Sequence, residues 1–194
     1  DLCLLIMSAT MDAEAVSRLL DSAPIINGQG RVFPVRTEHL PPLPQFASKR
    51  PDHLARSVSR AIRHVLGREK GDLLVFLPGM GEIRRVQEQL SDLEQIIVRP
   101  LHGSLKPAEQ ERVIQPDPAG RQRVILATTI AETSVTIEGI TTVVDCGWKR
   151  VPRFDSNSGL SRLDTVRISK ASAEQRAGRA GRLGPGTCYR LWDK

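Results

Sequence analysis

The segment from Glu174 to Gly186 of this 194-residue chain reads EQRAGRAGRLGPG and combines arginines with glycines in a stretch of helical character. On a helix, Gln175, Arg179 and Arg182 fall within about 60° of one another and form one polar stripe. Arg176 points elsewhere. Because neighbouring guanidiniums repel and arginine donates in a planar fork to phosphate oxygens, the stripe predicts a site for a multiply charged anion. The alternative is a solvated basic helix end.

The glycines of this segment need their own explanation, since a glycine inside a helix costs roughly 1 kcal/mol relative to alanine. Gly178 and Gly181 lie side by side on a flank next to the polar stripe. A missing Cβ lets a second backbone come close, so both positions predict close docking. Gly184 and Gly186 are typical of the end of a helix.

Two further segments carry hydroxyl groups directly after apolar runs. They are SAT at Ser8–Thr10 and TTIAETSVTIEG at 128–139. In an open α/β sheet the carboxyl ends of the strands form the edge where ligands bind, so we expect both segments and the arginine stripe to share that edge. The alternatives are ordinary: Thr10 could cap the helix that follows it, and Ser134 and Thr136 could be cap or loop hydroxyls.

The elements that must position these residues follow from the hydrophobic pattern. Apolar runs without alternation predict buried strands at 2–7, 23–28, 72–77, 96–102, 123–129, 141–147 and 187–192. Amphipathic spacing predicts helices at 12–20, 52–67, 81–93, 106–114 and 172–182. The Pro-rich stretch 30–51 is typical of a linker or a domain edge, and the polar turn DSNSG predicts a β-hairpin over 149–169. The predicted fold class is therefore α/β: a parallel sheet with helices on both faces and an inserted β-hairpin.

Charge and composition restrict the partners. Residues 147–194 contain 11 Lys and Arg against 4 Asp and Glu, so the whole net charge of +6 comes from the last quarter. Such clustering is typical of a protein that binds a polyanion, nucleic acid or nucleotide, and a merely solvated basic face is the equal alternative on charge alone. No run is apolar and long enough to cross a membrane, three scattered cysteines indicate free thiols in the cytoplasm, and the histidines lack metal-ligand spacing.

The order and spacing of SAT, TTIAETSVTIEG and QRAGRAGR resemble motifs III, V and VI of superfamily-two helicases. The segments LLVFLPGMGEI and ATTIAETSVTIEGITTVVDCG resemble the DEAH-box branch, and the 151–182 region resembles its bacterial members more than its spliceosomal ones. The resemblance implies the RecA-like fold of P-loop NTPases. It divides the chain into the end of a first lobe at 1–30, a linker and entry segment at 31–52, and a second, C-terminal lobe at 53–194.

The resemblance also implies a role for each motif residue in an enzyme that uses ATP and Mg²⁺, both held mainly by the first lobe. Arg179 and Arg182 would be arginine fingers, Gln175 would position the attacking water, and Gly178 would line the nucleotide site. Ser134 would lie near Mg²⁺, and Thr136 and Glu138 near the ribose. Ser8 and Thr10 would couple the nucleotide to the nucleic-acid track. No metal ligand is predicted in this chain.

The remaining motif positions imply contacts with the sugar-phosphate backbone of RNA or DNA. They are Gly79, Ser104, Thr128 and Thr129, together with Arg150 and Arg153 on the hairpin, which would act as a strand-separating wedge. Thr129 stands where the family usually has Asn. Two of these positions have ordinary alternatives, because GMG at 79–81 could be a plain βα turn and Ser104 could cap the next helix.

The chain contains neither a GxxxxGK[ST] phosphate loop nor a DEAH or DExH box. We therefore expect it to supply the arginine half of the ATP site of an RNA helicase, to pair with the first lobe of the same full-length chain, and to be inactive alone. The alternative is a non-catalytic RecA-like module that binds nucleic acid.

Overall fold

The computed structural model describes residues 4–6, 13–26, 33–40, 52–133, 136–155 and 159–193. The chain divides into two compact units, residues 1–31 and 32–194. The described part of the first unit contains one helix, α1 (Ala13–Leu19), as predicted. The strands predicted at 2–7 and 23–28 are wrong where they can be judged, since residues 4–6 and 23–26 are in neither helix nor strand. A strand requires a neighbour to bond its backbone, and no described strand pairs with either segment.

The second unit is an α/β domain whose elements alternate along the chain. Its strands are β1 (Val35–His39), β2 (Asp72–Phe76), β3 (Ile97–Leu101), β4 (Arg123–Ala127), β5 (Ile140–Asp145), β6 (Trp148–Asp155), β7 (Leu160–Arg167) and β8 (Gly186–Arg190). Its helices are α2 (Asp52–Leu66), α3 (Met80–Gln89), α4 (Pro107–Ile114), α5 (Ile130–Thr133) and α6 (Lys170–Ala177). Among the described residues, no helix is both long and apolar enough to cross a membrane.

Six of these strands form one parallel sheet in the order β1-β8-β5-β2-β4-β3. Its central strands are buried on both faces, which explains their unbroken apolar runs; in β4 every residue is buried. One core cluster includes apolar side chains of α2 and α3, and a second includes those of α4, α5 and α6. The predicted fold class, a parallel sheet covered by helices on both faces, is confirmed.

Of the two interpretations of 30–51, a linker or a domain edge, strand β1 supports the domain edge. Val35–His39 pairs in parallel with β8 and forms one edge of the sheet. The sequence VRTEH is mostly polar because an edge strand leaves part of its surface in solvent, and it contains no apolar run. Composition therefore does not distinguish this strand from a loop.

The predicted hairpin is confirmed as the antiparallel pair β6–β7, a separate two-stranded sheet. It follows β5 through Gly147, whose φ of 77° lies in the left-handed region that glycine adopts without strain. An added Cβ there would lie 2.7 Å from the Trp192 ring. The turn between Asp155 and Gly159 includes residues outside the described ranges.

Helix α6 is shorter than the predicted 172–182 helix. Ser169 caps its start through a side-chain bond from the Ser172 amide, at 3.2 Å, and the helix ends at Ala177. From there the amides of Arg179, Ala180 and Gly181 bond to carbonyls three residues earlier, as in tight 3₁₀ turns. The two finger candidates therefore lie in turns beyond the helix.

Candidate functional site

Arg179 and Arg182 remain neighbours although the helix has ended. In turns with three-residue bonding, side chains three positions apart lie on the same side, so the tighter winding brings the two guanidiniums together. Arg179 is only 5% exposed, whereas Arg182 is exposed. Arg182 donates from Nη1 to Thr136 Oγ1 at 2.6 Å. The structure thus places Arg179 and Arg182, two of the candidate site residues, close to the hydroxyl of a third, Thr136.

The electrostatics of Arg179 suit an anion site. Burial, together with the nearby charge of Arg182, lowers the pKa of Arg179 to about 10. Arg179 nevertheless stays protonated at neutral pH. Arg179 Nη2 donates to the main-chain carbonyl of Glu132. A phosphate group would relieve the repulsion between the two guanidiniums.

The two glycines of the motif differ. A Cβ on Gly181 would lie 2.6 Å from the Phe33 carbonyl oxygen and 2.7 Å from Val35 Cγ2, so the close approach predicted there is confirmed. A Cβ on Gly178 would meet only carbonyls of the preceding turn, at 3.3 Å or more. The close approach predicted at Gly178 is therefore wrong within the described residues, because Gly178 faces outwards. Gln175 is half-buried on α6, one turn before Arg179.

We call Arg179, Arg182 and Thr136 the finger group. The sequence predicts that this group lies at the carboxyl edge of the sheet, and that prediction is wrong. Gly181 contacts Phe33 and Val35 at the start of β1, and the turn leads directly into the start of β8. The loop containing Thr136 and Glu138 leads into the start of β5, and the Glu138 carbonyl accepts from Arg123, the first residue of β4. The polar motifs are thus divided between opposite ends of the strands, because the segments after α5 and α6 lead to the starts of β5 and β8.

The carboxyl edge holds the other candidate group. Gly79 is the N-cap of α3 directly after β2, so the βα-turn interpretation holds for its backbone. Arg150 lies over it: a Cβ on Gly79 would be 2.6 Å from Arg150 Nη1. Arg150 Nη2 also forms an ion pair with Glu82 Oε1 at 2.9 Å, and the Glu82 side chain is 4% exposed. Gly79 and Arg150 therefore also attach the base of the hairpin to α3.

The other nucleic-acid candidates lie after neighbouring strands of the same edge. Thr128 and Thr129 follow β4 and are half-buried, and their carbonyls accept the first amide bonds of α5. Ser104 is exposed in the turn after β3. It does not cap α4, whose N-cap is Lys106, with the Lys106 amide bonded to Glu109 at 2.9 Å.

Arg153 lies further out on the hairpin. Its side chain is 72% exposed, and its Nη1 lies 3.6 Å from Asp164 Oδ2. It faces Arg162 across the two strands, which creates a second pair of adjacent arginines. Among the described residues, its ion pair is with the hairpin itself, whereas that of Arg150 is with α3.

Sequence reasoning missed two buried arginines that organise this domain. Arg176 is fully buried and pairs with Glu132 at 2.6 Å and with Asp145 at 2.8 Å. Burial raises the pKa of Asp145, and the charge of Arg176 opposes that shift. A signal was present, since Asp145 interrupts the apolar run TTVVDC with a carboxylate that a buried strand end must neutralise.

Arg123 is the second such residue. It is fully buried, its Nη2 lies 2.7 Å from Asp72 Oδ2, and its Nη1 donates to the carbonyls of Val113 and Ile114 at 3.2 Å each. With its bond to the Glu138 carbonyl, it joins the end of α4 to the loop before β5. An arginine at the start of an apolar strand was the available sequence signal.

Some predicted residues cannot be placed. Ser8, Thr10 and Ser134 lie outside the described residues. Within the described ranges, no cluster of three or more His, Cys, Asp or Glu could hold a metal ion. Cys146 and Cys188 are buried free thiols, as predicted, and burial raises the pKa of each to about 12.

The parallel sheet, the hairpin after β5 and the arginine pair beyond α6 define a class, the RecA-like C-terminal lobe of a helicase. Comparison with protein families supports that class. The chain belongs to the helicase conserved C-terminal domain family, which matches residues 56–184.

Similar proteins indicate the branch of helicases to which the chain is related. The chain is 51% identical over 193 residues to the ATP-dependent RNA helicase HrpB of Escherichia coli K12, covering 98% of this chain and 23% of that protein. It is 43% identical over 201 residues to the probable ATP-dependent RNA helicase DHX34 of Mus musculus, covering 99% of this chain and 18% of that protein. The chain thus spans about a fifth of the length of these relatives.

Two crystal structures of Escherichia coli HrpB are also similar, one described as a DExH-box NTPase and one as a DEAH/RHA helicase. Their TM-scores are 0.80 and 0.82, each at 47% identity over 97% of this chain, which covers 23% and 24% of those chains. The predicted resemblance to the DEAH-box branch, with a bacterial member among the relatives, is confirmed.

Proposed function

We propose that this chain is part of an ATP-dependent RNA helicase, in which it supplies the arginine half of the ATP site and part of the nucleic-acid track. One observation carries the proposal. Arg179 and Arg182 lie side by side with a hydroxyl within hydrogen-bond distance, in a chain that belongs to the helicase C-terminal domain family.

ATP fits this arrangement because its terminal phosphates carry the multiple negative charge that two adjacent guanidiniums need. As the γ-phosphoryl group transfers to water, charge spreads over its oxygens, and a finger arginine stabilises that charge. In this proposal Arg182 and Arg179 bind those oxygens and Gln175 orients the water. Gly178 lines the nucleotide, and Ser134 lies near Mg²⁺, which would polarise the phosphates. The groups that hold ATP and Mg²⁺ directly belong to the first lobe.

Thr136 and Glu138 are proposed to contact the ribose. The Thr136 hydroxyl accepts from Arg182 and keeps its own proton for donation, so it can bond a finger and a ribose oxygen together. The Glu138 side chain is exposed, which leaves its carboxylate able to accept from a ribose hydroxyl.

The proposed nucleic-acid track is the carboxyl edge of the sheet, with the hairpin beside it. Gly79, Ser104, Thr128 and Thr129 would meet the sugar-phosphate backbone, and Arg150 and Arg153 would contact it from the hairpin. The basic excess of residues 147–194 supports a phosphate-directed mode of binding. Ser8 and Thr10 would link this track to the nucleotide.

The proposal also assigns domains and location. Residues 1–30 would be the end of the first lobe and 31–52 the entry into the second, with β1 already part of the second sheet. The full-length protein would act in the cytoplasm, which suits the buried free thiols of Cys146 and Cys188. The 194-residue chain alone would not hydrolyse ATP.

The test is strand displacement by the full-length protein that contains this chain. It should separate an RNA duplex with a single-stranded overhang in an ATP-dependent manner, and RNA should raise its ATP hydrolysis rate. A matched DNA duplex, measured in parallel, distinguishes RNA from DNA as substrate. Because the contacts proposed are with phosphates, affinity should fall steeply with salt.

The non-catalytic alternative predicts a different outcome. The full-length protein would bind the duplex with the same salt dependence but would neither hydrolyse ATP nor separate strands. Robust hydrolysis by the purified 194-residue chain, in a preparation free of contaminating ATPase, would contradict the division of the site between two lobes.

A further inference from the structure

Arg176 is the arginine of the motif that faces neither the proposed nucleotide nor solvent. Its guanidinium donates from Nε to Glu132 Oε1 at 2.7 Å and from Nη1 to Asp145 Oδ1 at 2.8 Å. Nη1 also lies 3.3 Å from the Trp148 carbonyl, and the guanidinium carbon lies 4.7 Å from the centre of the Phe76 ring. Arg176 thus connects α6 with α5, the end of β5 and the start of the hairpin.

The Asp145 side of this network is fixed independently. Asp145 is fully buried, and its Oδ1 accepts a second bond from the Gly147 amide at 2.9 Å. The strand that carries it lies in the interior of the six-stranded sheet. Arg176 is therefore held by a rigid part of the molecule.

On its other side, Arg176 contacts Glu132, which lies in a less stable element than Asp145. Glu132 belongs to α5, which has only four residues, and such a short helix has little stability of its own. Its side chain is clamped by Arg176, with Nη2 also 2.6 Å from Oε1. Its main-chain carbonyl accepts the bond from Arg179 Nη2. The same residue thus contacts the buried arginine with its side chain and the finger arginine with its backbone.

We propose that Arg176 is a positioning residue for Arg179: by clamping the Glu132 side chain against Asp145, it fixes the carbonyl that orients the finger. This inference rests on the proposed function of Arg179 and extends it to a residue that touches no substrate. The Glu132 carbonyl accepts directly from Arg179, so its position contributes to where the Arg179 guanidinium lies.

The test uses the full-length protein and ATP hydrolysis at saturating RNA. Arg176→Lys keeps the charge but offers one nitrogen instead of three, so it cannot hold Glu132, Asp145 and the Trp148 carbonyl together. Misplacing the finger should lower kcat about 10- to 100-fold, with KM for ATP changed much less. Glu132→Gln, which keeps the backbone and the size of the side chain, should lower kcat in the same direction.

A double-mutant cycle separates positioning from loss of stability. If Arg176 acts through Arg179, adding Arg176→Lys to Arg179→Ala should cause little further loss of kcat. Additive losses would overturn the proposal, as would wild-type kcat in a folded Arg176→Lys protein. Val65→Ala, a fully buried core change on α2 across the sheet, is the control for destabilisation. Its kcat per folded molecule should match wild type, and an equal fall there would also overturn the proposal.

Failure of the positioning role proposed for Arg176 can be distinguished from failure of the function proposed for Arg179. If Arg179→Ala itself leaves kcat unchanged, the finger assignment fails. If Arg179→Ala abolishes turnover while Arg176→Lys and Glu132→Gln do not lower it, only the positioning role fails.

Discussion

Three arginines in one motif have three different environments. Arg176 is fully buried between carboxylates, Arg179 is buried against a carbonyl, and Arg182 is exposed next to Thr136. Their spacing predicts which two lie next to each other, because that depends on the local winding of the chain. It does not predict the partners of Arg176, since Glu132 and Asp145 are 44 and 31 residues away along the sequence.

The two glycines of the motif give a matched pair of substitutions. Gly181→Ala places a Cβ against the Phe33 carbonyl and Val35, so we expect a loss of about 1–3 kcal/mol in the free energy of unfolding. Gly178→Ala, at a φ of −57° and facing outwards, should leave stability nearly unchanged. Urea unfolding of the three proteins measures both effects.

Comparable destabilisation by both substitutions would contradict this account of the packing. Gly178→Ala also tests whether Gly178 lies next to the nucleotide. If it lowers ATP hydrolysis by the full-length protein without lowering stability, the clearance at Gly178 serves the nucleotide side, as proposed.

At the scale of elements, prediction from sequence succeeds where burial is strong. The stripe of α2 and the apolar runs of β2, β4 and β5 are reproduced because each has one dominant environment. Edge strand β1 could not be predicted, because its polar sequence VRTEH contains no apolar run, although its backbone pairs with β8. The end of α6 could not be predicted either. A pattern does not distinguish an α-helix from the 3₁₀ turns that continue it.

The hairpin is an element that needs an anchor, since an isolated two-stranded sheet is only marginally stable. Glu82 and Arg150 form that anchor at its base. Glu82→Gln weakens a buried ion pair, so amide hydrogen exchange in β6 and β7 should become faster, by about tenfold, while exchange in α2 stays unchanged.

Arg162→Gln is the matched control for this exchange measurement. Arg162 lies on the outer part of the same hairpin, 65% exposed, and pairs with Asp164 at 3.1 Å. An exposed pair contributes little, so exchange in the hairpin should stay near wild type. Equal acceleration in both variants, or none in Glu82→Gln, would contradict an anchor at the base.

At the scale of the whole molecule, the second unit places the two groups of candidate residues apart. The group of Arg179, Arg182 and Thr136 lies near the starts of the strands, and the nucleic-acid candidates lie near their ends. The sequence predicts every one of these residues but puts them on a single edge. The order of strands along the sequence could not show that the two groups lie at opposite ends of the sheet. Their positions depend on where the short connecting segments turn.

The central claim is that this chain completes an ATP site with Arg182. The most direct measurement is kcat for ATP hydrolysis by the full-length protein carrying Arg182→Ala, beside Arg60→Ala, an exposed arginine on α2. Because a finger arginine acts on the transferring phosphoryl group, kcat of Arg182→Ala should fall by about 10³-fold or more. Arg60→Ala should keep wild-type turnover. An Arg182→Ala protein that is folded and hydrolyses ATP at the wild-type rate would contradict the account.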